Sequence, residues 1–176
     1  MHERSKVLEA EFFLKLMQER SASAEDFRHS LSAFLSAARS TLQYALEEAR
    51  ARGRQTWYEN AMRASPVLGF FKGKRDINVH VKPLVLMQQT TLTEMAHVNI
   101  SESLLIKIER EDGTTETREV ANAPRLVTQH SSSRVEVQYL FGDWLGTEDV
   151  LALSQKYIAE VRSFVEAGVN AGYISG

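Results

Sequence analysis

FRHSLSAFLSAARSTL, Phe27 to Leu42, decides how the rest of this chain is read. Phe27, Leu31, Phe34, Leu35, Ala38, Leu42 and Leu46 recur at helical spacing and form one apolar stripe. Acidic Glu25 and Asp26 follow Ser23 and suit the first turn of a helix, and Gly53 marks its end. The other side carries Ser30, Ala33, Ala37 and Ser40, side chains small enough for a second helix to approach closely. A long helix of this kind predicts a bundle.

Working outward, Val7, Ala10, Phe13, Leu14 and Met17 predict a first helix from about Glu3 to Glu19. Gln55 to Arg63 reads as a shorter helical piece with Trp57, Tyr58 and Met62. Ser65-Pro66 is an N-cap followed by proline in the first turn. The helix starting there is expected to bury Val67, Phe70, Phe71, Ile77 and Val81 and to stop near Pro83, with Gly69 and Gly73 weakening it. The Leu/Met/Thr-rich stretch after Pro83 is left unassigned. SLLIKIEREDGTTETREV places β-formers around Asp112-Gly113, a hairpin signal, and residues 134–141 predict a third strand with Val135, Val137 and Tyr139 on one face. Thr147 is the expected cap of a last helix whose stripe runs Val150, Leu153, Ser154, Tyr157, Ile158, Val161, Phe164 and Val165, before a glycine-rich tail expected to fray. The predicted architecture is mainly α. It is a four- or five-helix up-down bundle over residues 1–176, with a small antiparallel β-hairpin or three-strand insertion over 97–146, before the last helix.

The chain has 176 residues, 43% of them hydrophobic, with 3 Pro and 9 Gly, enough to bury a core without staples. The absence of Cys removes disulfides, thiolate catalysis and cysteine-based metal sites. MHERSKVLEAEFFLKLMQER is charged throughout, so neither a signal peptide nor a membrane span is expected there, and the expected location is cytoplasmic. The net charge of −2 hides a segregation. Arg50 to Lys82 carries eight cations and two acids, +6, against −8 elsewhere.

Within that basic segment lies GKRDINVHVKP, Gly73 to Pro83. Arg75 and His80 are separated by four residues, a spacing that also occurs at Arg125 and His130 in an expected loop, so spacing alone does not define a site. Context separates the two. Arg75 and His80 close an expected helix, and Asp76 and His80 are i and i+4, so a carboxylate shares the imidazole's face together with Gly69 and Gly73. Arg75 points about 140° from His80 on an ideal helix, so convergence requires the helix to end there or a second copy to supply one partner. His29 and His97 have no companions at metal-ligand spacing, no metal or other cofactor is expected, and Ser132 and Ser133 near His130 read as polar loop.

Arg75-Asp76-Ile77-Asn78-Val79-His80 resembles the motif of the HEPN superfamily, all-helical domains whose ribonuclease members carry Arg, a polar residue directly after it, and His four to six residues beyond the Arg. FRHSLSAFLSAARSTL is similar to the long second helix of small bacterial members, and TWYENAMRASPVLGFFKGKRDINVH resembles their approach to the motif. The resemblance covers about the first 82 residues and the terminal helix; the β insertion departs from it.

That resemblance implies a homodimer in which two motifs line one cleft and cut RNA without metal. His80 would take the proton of a 2′-hydroxyl, Arg75 would neutralise the phosphate, and Asp76 would orient His80. Lys72, Lys74 and Lys82 are candidate phosphate contacts, while Tyr58 and its neighbour Trp57 are candidate base platforms or simply core aromatics. A toxin-like or defence role with a cognate antitoxin follows from the same likeness. The rival expectation is a non-catalytic scaffold whose β insertion docks a protein partner; a weaker third is nucleotide or small-ligand sensing.

Overall fold

The computed structural model describes residues 2–96, 104–120 and 131–176. Helix α1 spans His2–Glu19, α2 Ala24–Ala51, α3 Gln55–Ala64, α4 Pro66–His80 and α5 Val150–Asn170. Strands β1 (Met87–Ala96), β2 (Leu104–Glu109), β3 (Thr115–Val120) and β4 (Ser131–Leu140) lie between α4 and α5. Residues 1–90 and 136–176 form a helical body, and residues 91–135 form a second compact unit.

The long helix is the hub of the body: α2 packs against α1, α3, α4 and α5. Its stripe is buried from Phe27 to Leu42, and Ser30, Ala37, Thr41, Ala45 and Ala49 are buried as well, so neighbours occupy more than one of its sides. It begins after Ser23 as expected, and Ser23 caps it, its hydroxyl accepting from the Asp26 N–H at 3.3 Å. The stripe of α5 is buried at all eight expected positions. Its cap is Asp149, two residues after Thr147, whose carboxylate accepts from the Ala152 N–H at 2.7 Å and adds negative charge at the positive helix end.

The core is aromatic. Phe71 of α4 stacks on Tyr157 of α5 with centroids 4.3 Å apart and planes 5° apart, and Phe34 of α2 meets both edge-on. Phe141, just past β4, closes on Phe71 and Phe70. Tyr139 stacks on Phe27 at 4.0 Å and its hydroxyl donates to the Ser21 carbonyl. These contacts draw residues 136–146 into the helical body, so the second unit runs over 91–135 rather than the expected 97–146.

The hairpin forms where the Asp112-Gly113 signal places it: β2 and β3 pair antiparallel from Leu104↔Val120 to Glu109↔Thr115, and Gly113 has φ +80°. The expected third strand, β4, pairs instead with β1, the stretch left unassigned. Met87-Gln88-Gln89-Thr90-Thr91-Leu92 lacks the alternation that marks a half-buried strand, and its side chains are all exposed. Ser133, read as loop, lies within β4.

Residues 173–176 do not fray. Gly172 adopts φ +69° after α5, with its N–H donating to Val169 O and the Tyr173 N–H to Gly168 O, the paired closure of a Schellman cap. Ile174 is 2% exposed. The Ser175 N–H and hydroxyl both donate to Glu48 of α2, at 2.9 and 3.0 Å, and Arg52 pairs with the same carboxylate at 2.6 Å while donating to Gly172 O. Burial pushes the Glu48 carboxyl up, but the Ser175 and Arg52 bonds outweigh it and hold the group below the usual carboxylate range. A carboxyl lowered in the folded state stabilises above its unfolded pKa and loses that contribution as pH falls through its folded one. Protection of the Ser175 amide against hydrogen exchange is therefore expected to hold at neutral pH, to collapse below the ordinary carboxylate range, and to be absent in Glu48→Ala at either pH.

Gly168 is a close approach. A Cβ there would lie 2.5 Å from the Trp57 ring and 2.9 Å from Ile174, whereas none of the described residues lies within 4 Å of one at Gly73. Gly168→Ala is expected to cost about 1–3 kcal/mol. Gly73→Ala, in open space within a helix, is expected to gain roughly 0.5–1 kcal/mol. Urea midpoints of the two variants should move in opposite directions.

Candidate functional site

Ser65 starts the motif helix twice over: its hydroxyl accepts from the Leu68 N–H at 3.0 Å and also bonds the Glu160 carboxylate of α5. Val67, Leu68 and Phe71 then bury the first half of α4. The second half departs from the expected buried side. Ile77 is 36% exposed and Val81 is 73% exposed, because the body's aromatic layer reaches only as far as Phe71 and Lys74. Val79, Val85 and Met87 are also exposed, so the end of α4 presents an apolar rim. The helix stops at His80, three residues before Pro83 and so near it as expected, with the Val81 and Lys82 N–H groups both closing on Ile77 O at 3.0 Å.

That ending brings Arg75 and His80 together. Arg75 Nη1 lies 3.1 Å from His80 Nε2 and 3.3 Å from Asp76 Oδ1. The 140° offset is bridged by the length of the arginine, within one chain. A guanidinium only donates, so this contact is a hydrogen bond when His80 is neutral with its proton on Nδ1, leaving the Nε2 lone pair aimed at the arginine. Asp76 engages Arg75, the partner it has here, rather than His80. His80 is exposed, Arg75 is partly buried, and its Nε is buried without a hydrogen-bond partner among the described residues. The result is an imidazole and a cation held at hydrogen-bond distance on an accessible helix end.

Asn78 fixes this end in place. Its Nδ2 donates to Ser32 Oγ of α2 at 2.7 Å, and its Oδ1 accepts from the Leu84 N–H at 3.4 Å, tying both the helix and the outgoing chain to α2. Sequence reasoning passed over Asn78, since nothing local marks an amide whose partners lie 46 residues earlier and 6 later. The same residue borders a cleft of about 510 Å³ with Arg28, His29, Ser32 and Leu84, whose lining does not include Arg75 or His80.

The remaining candidates divide. Lys72 and Lys82 are exposed, as a phosphate contact requires. Lys74 is 8% exposed; its ammonium pairs with Asp143 and lies 4.9 and 5.1 Å from the Phe70 and Phe141 ring centroids. It is a packed structural cation rather than a free one. Tyr58 is buried edge-on against Phe164, with its hydroxyl accepting from Arg39 at 3.3 Å, and Trp57 sits between Phe164 and Tyr173. Tyr58 is a core aromatic and offers no open ring face to a base, while Trp57 is half-buried against the core. Arg125, His130 and His97 lie outside the described residues. Among the described residues, no group of three or more His, Asp or Glu could hold a metal ion, and no helix is long and apolar enough to cross a membrane.

No family model, curated protein or solved structure matches this chain.

If Asn78 locks the end of α4, Asn78→Ala should cost about 1–2 kcal/mol through two lost hydrogen bonds and should accelerate hydrogen exchange at Leu84 while leaving the core of α2 protected.

Proposed function

We propose that the protein is a HEPN-type endoribonuclease that acts as a homodimer in the cytoplasm and cuts RNA without a metal. The observation that carries this reading is the 3.1 Å contact between Arg75 Nη1 and His80 Nε2 on an exposed helix end, flanked by exposed Ile77, Val79 and Val81. A phosphate entering between the two side chains takes the guanidinium, which binds oxygens in a planar fork and neutralises charge growing in the transition state. The Nε2 lone pair is then free to accept the 2′-hydroxyl proton. The 2′-oxygen forms a bond to phosphorus, the bond to the 5′-oxygen breaks, and that leaving oxygen takes a proton from water or from the second copy's His80. The products are a 2′,3′-cyclic phosphate and a 5′-hydroxyl. Asp76 restrains Arg75 between turnovers. The apolar rim favours a partner surface beside the motif, and a second copy placed there would bring two such pairs to one cleft.

The same rim supports a second reading, a non-catalytic HEPN-like scaffold in which Val79, Val81 and Val85 dock a protein partner such as an antitoxin.

Purified protein incubated with structured RNA in excess chelator is expected to release fragments with cyclic 3′ ends. Arg75→Ala and His80→Ala are each expected to lower the rate by 10²-fold or more with unchanged circular dichroism. A folded parent that leaves RNA intact supports the scaffold reading.

A further inference from the structure

On another side of α4, three helices each contribute one cation to a single depression. Arg39 from α2, Arg63 from α3 and Lys72 from α4 line a pocket of about 300 Å³ floored by Leu46 and Met62. Among the described residues Glu59 is the only acid lining it, and its carboxylate is engaged by Gln55 at 2.7 Å and by Arg63 at 3.8 Å. Arg39 is positioned rather than loose, because Nη1 donates to the Tyr58 hydroxyl and Tyr58 is fixed in the core. Among the described residues Lys72 has no ion pair or hydrogen bond. Positive charge is thus concentrated where the protein provides one counter-ion, an arrangement suited to an anion of phosphate type.

The pocket is aligned with the motif. On a regular helix Lys72 lies about 60° to one side of Arg75's direction and about 80° from His80's, between the two, and about 12 Å along the axis from His80. A single strand whose phosphate meets Arg75 can continue along α4 into this depression. We propose that Arg39, Arg63 and Lys72 form a phosphodiester subsite that holds RNA flanking the bond presented to Arg75 and His80. The subsite rests on the ribonuclease reading for its substrate, and it positions the chain without reading its bases.

The test separates binding from cutting. A short 2′-O-methyl oligoribonucleotide lacks the attacking hydroxyl, so its affinity for the full-length protein is measured across a salt series without cleavage. Arg63→Gln with Lys72→Gln is expected to weaken binding about tenfold and to flatten the plot of log affinity against log salt by about 1.4, the loss of two single-strand phosphate contacts. Lys15→Gln, a surface lysine on α1 paired with Glu19, is the control and should change neither. Equal affinity and slope in the double variant and the control would overturn the subsite. If the parent cuts RNA in a His80-dependent manner while the double variant binds normally, the nuclease reading stands and the subsite falls. If binding depends on Arg63 and Lys72 but RNA is never cut, the subsite stands and the nuclease reading falls. A parent that does not bind the oligonucleotide overturns the subsite outright.

Discussion

The parallel stack of Phe71 on Tyr157 is the contact on which the placement of the motif depends. Two large rings, both buried, join α4 to a helix 86 positions away in sequence, and Phe34 closes the third side from α2. Contacts of this kind combine large apolar area with preferred ring geometry, so they fix orientation as well as supplying stability. Burial also drives the Tyr157 hydroxyl upward, against the opposing charge of Arg39, so the ring stays neutral in its packed position. With one half of α4 clamped, the other half extends past the core. Arg75 and His80 lie on that overhang, positioned by a rigid helix, with His80 exposed and Arg75 partly buried.

The segment from Arg50 to Lys82 carries eight cations against two acids. In the folded chain its charges have separate employments. Arg50 and Arg52 pair with acids of their own helix, Arg54 lies over the Tyr173 ring, and Lys74 is enclosed with Asp143. Arg63 and Arg75 likewise pair with Glu59 and Asp76 of their own helices, so among the described residues Lys72 and Lys82 alone of the eight carry no such partner. Charge density along the sequence is therefore a poor guide to the charge left free for an external anion.

The helices were legible because each carries its own period and its own punctuation. Ser23, Ser65 and Pro66 do what their side chains dictate over one turn, and the α5 stripe needs no knowledge of its neighbours. The hairpin was legible for the same reason, through Asp112-Gly113. What escaped was non-local. β1 is a strand because β4 pairs with it, not because of its own pattern, and Lys74 is buried because Phe70, Phe141 and Asp143 surround it. The exposure of Ile77 and Val81 escaped too, since helical spacing says which residues share a side and not how far the opposing layer extends. Of the site, the Arg75 and His80 pair and the end of its helix were readable, while Asn78 and the cations of α2 and α3 required the folded chain.

The Phe71–Tyr157 stack also sets an order of events during biosynthesis. Chain elongation at roughly 5–20 residues per second leaves an interval of about 4–17 s between the emergence of these two rings. Throughout it, the sides of α1, α2 and α4 that α5 will cover are complete and wet. The β unit is made within that interval and has its own local hairpin to form. The nascent bundle thus passes through a stage with an open apolar trough, and the last helix is what closes it. A chain interrupted before Tyr157 would retain the motif helix in sequence but lack the ring that holds it in place, which couples production of the candidate site to completion of the final helix.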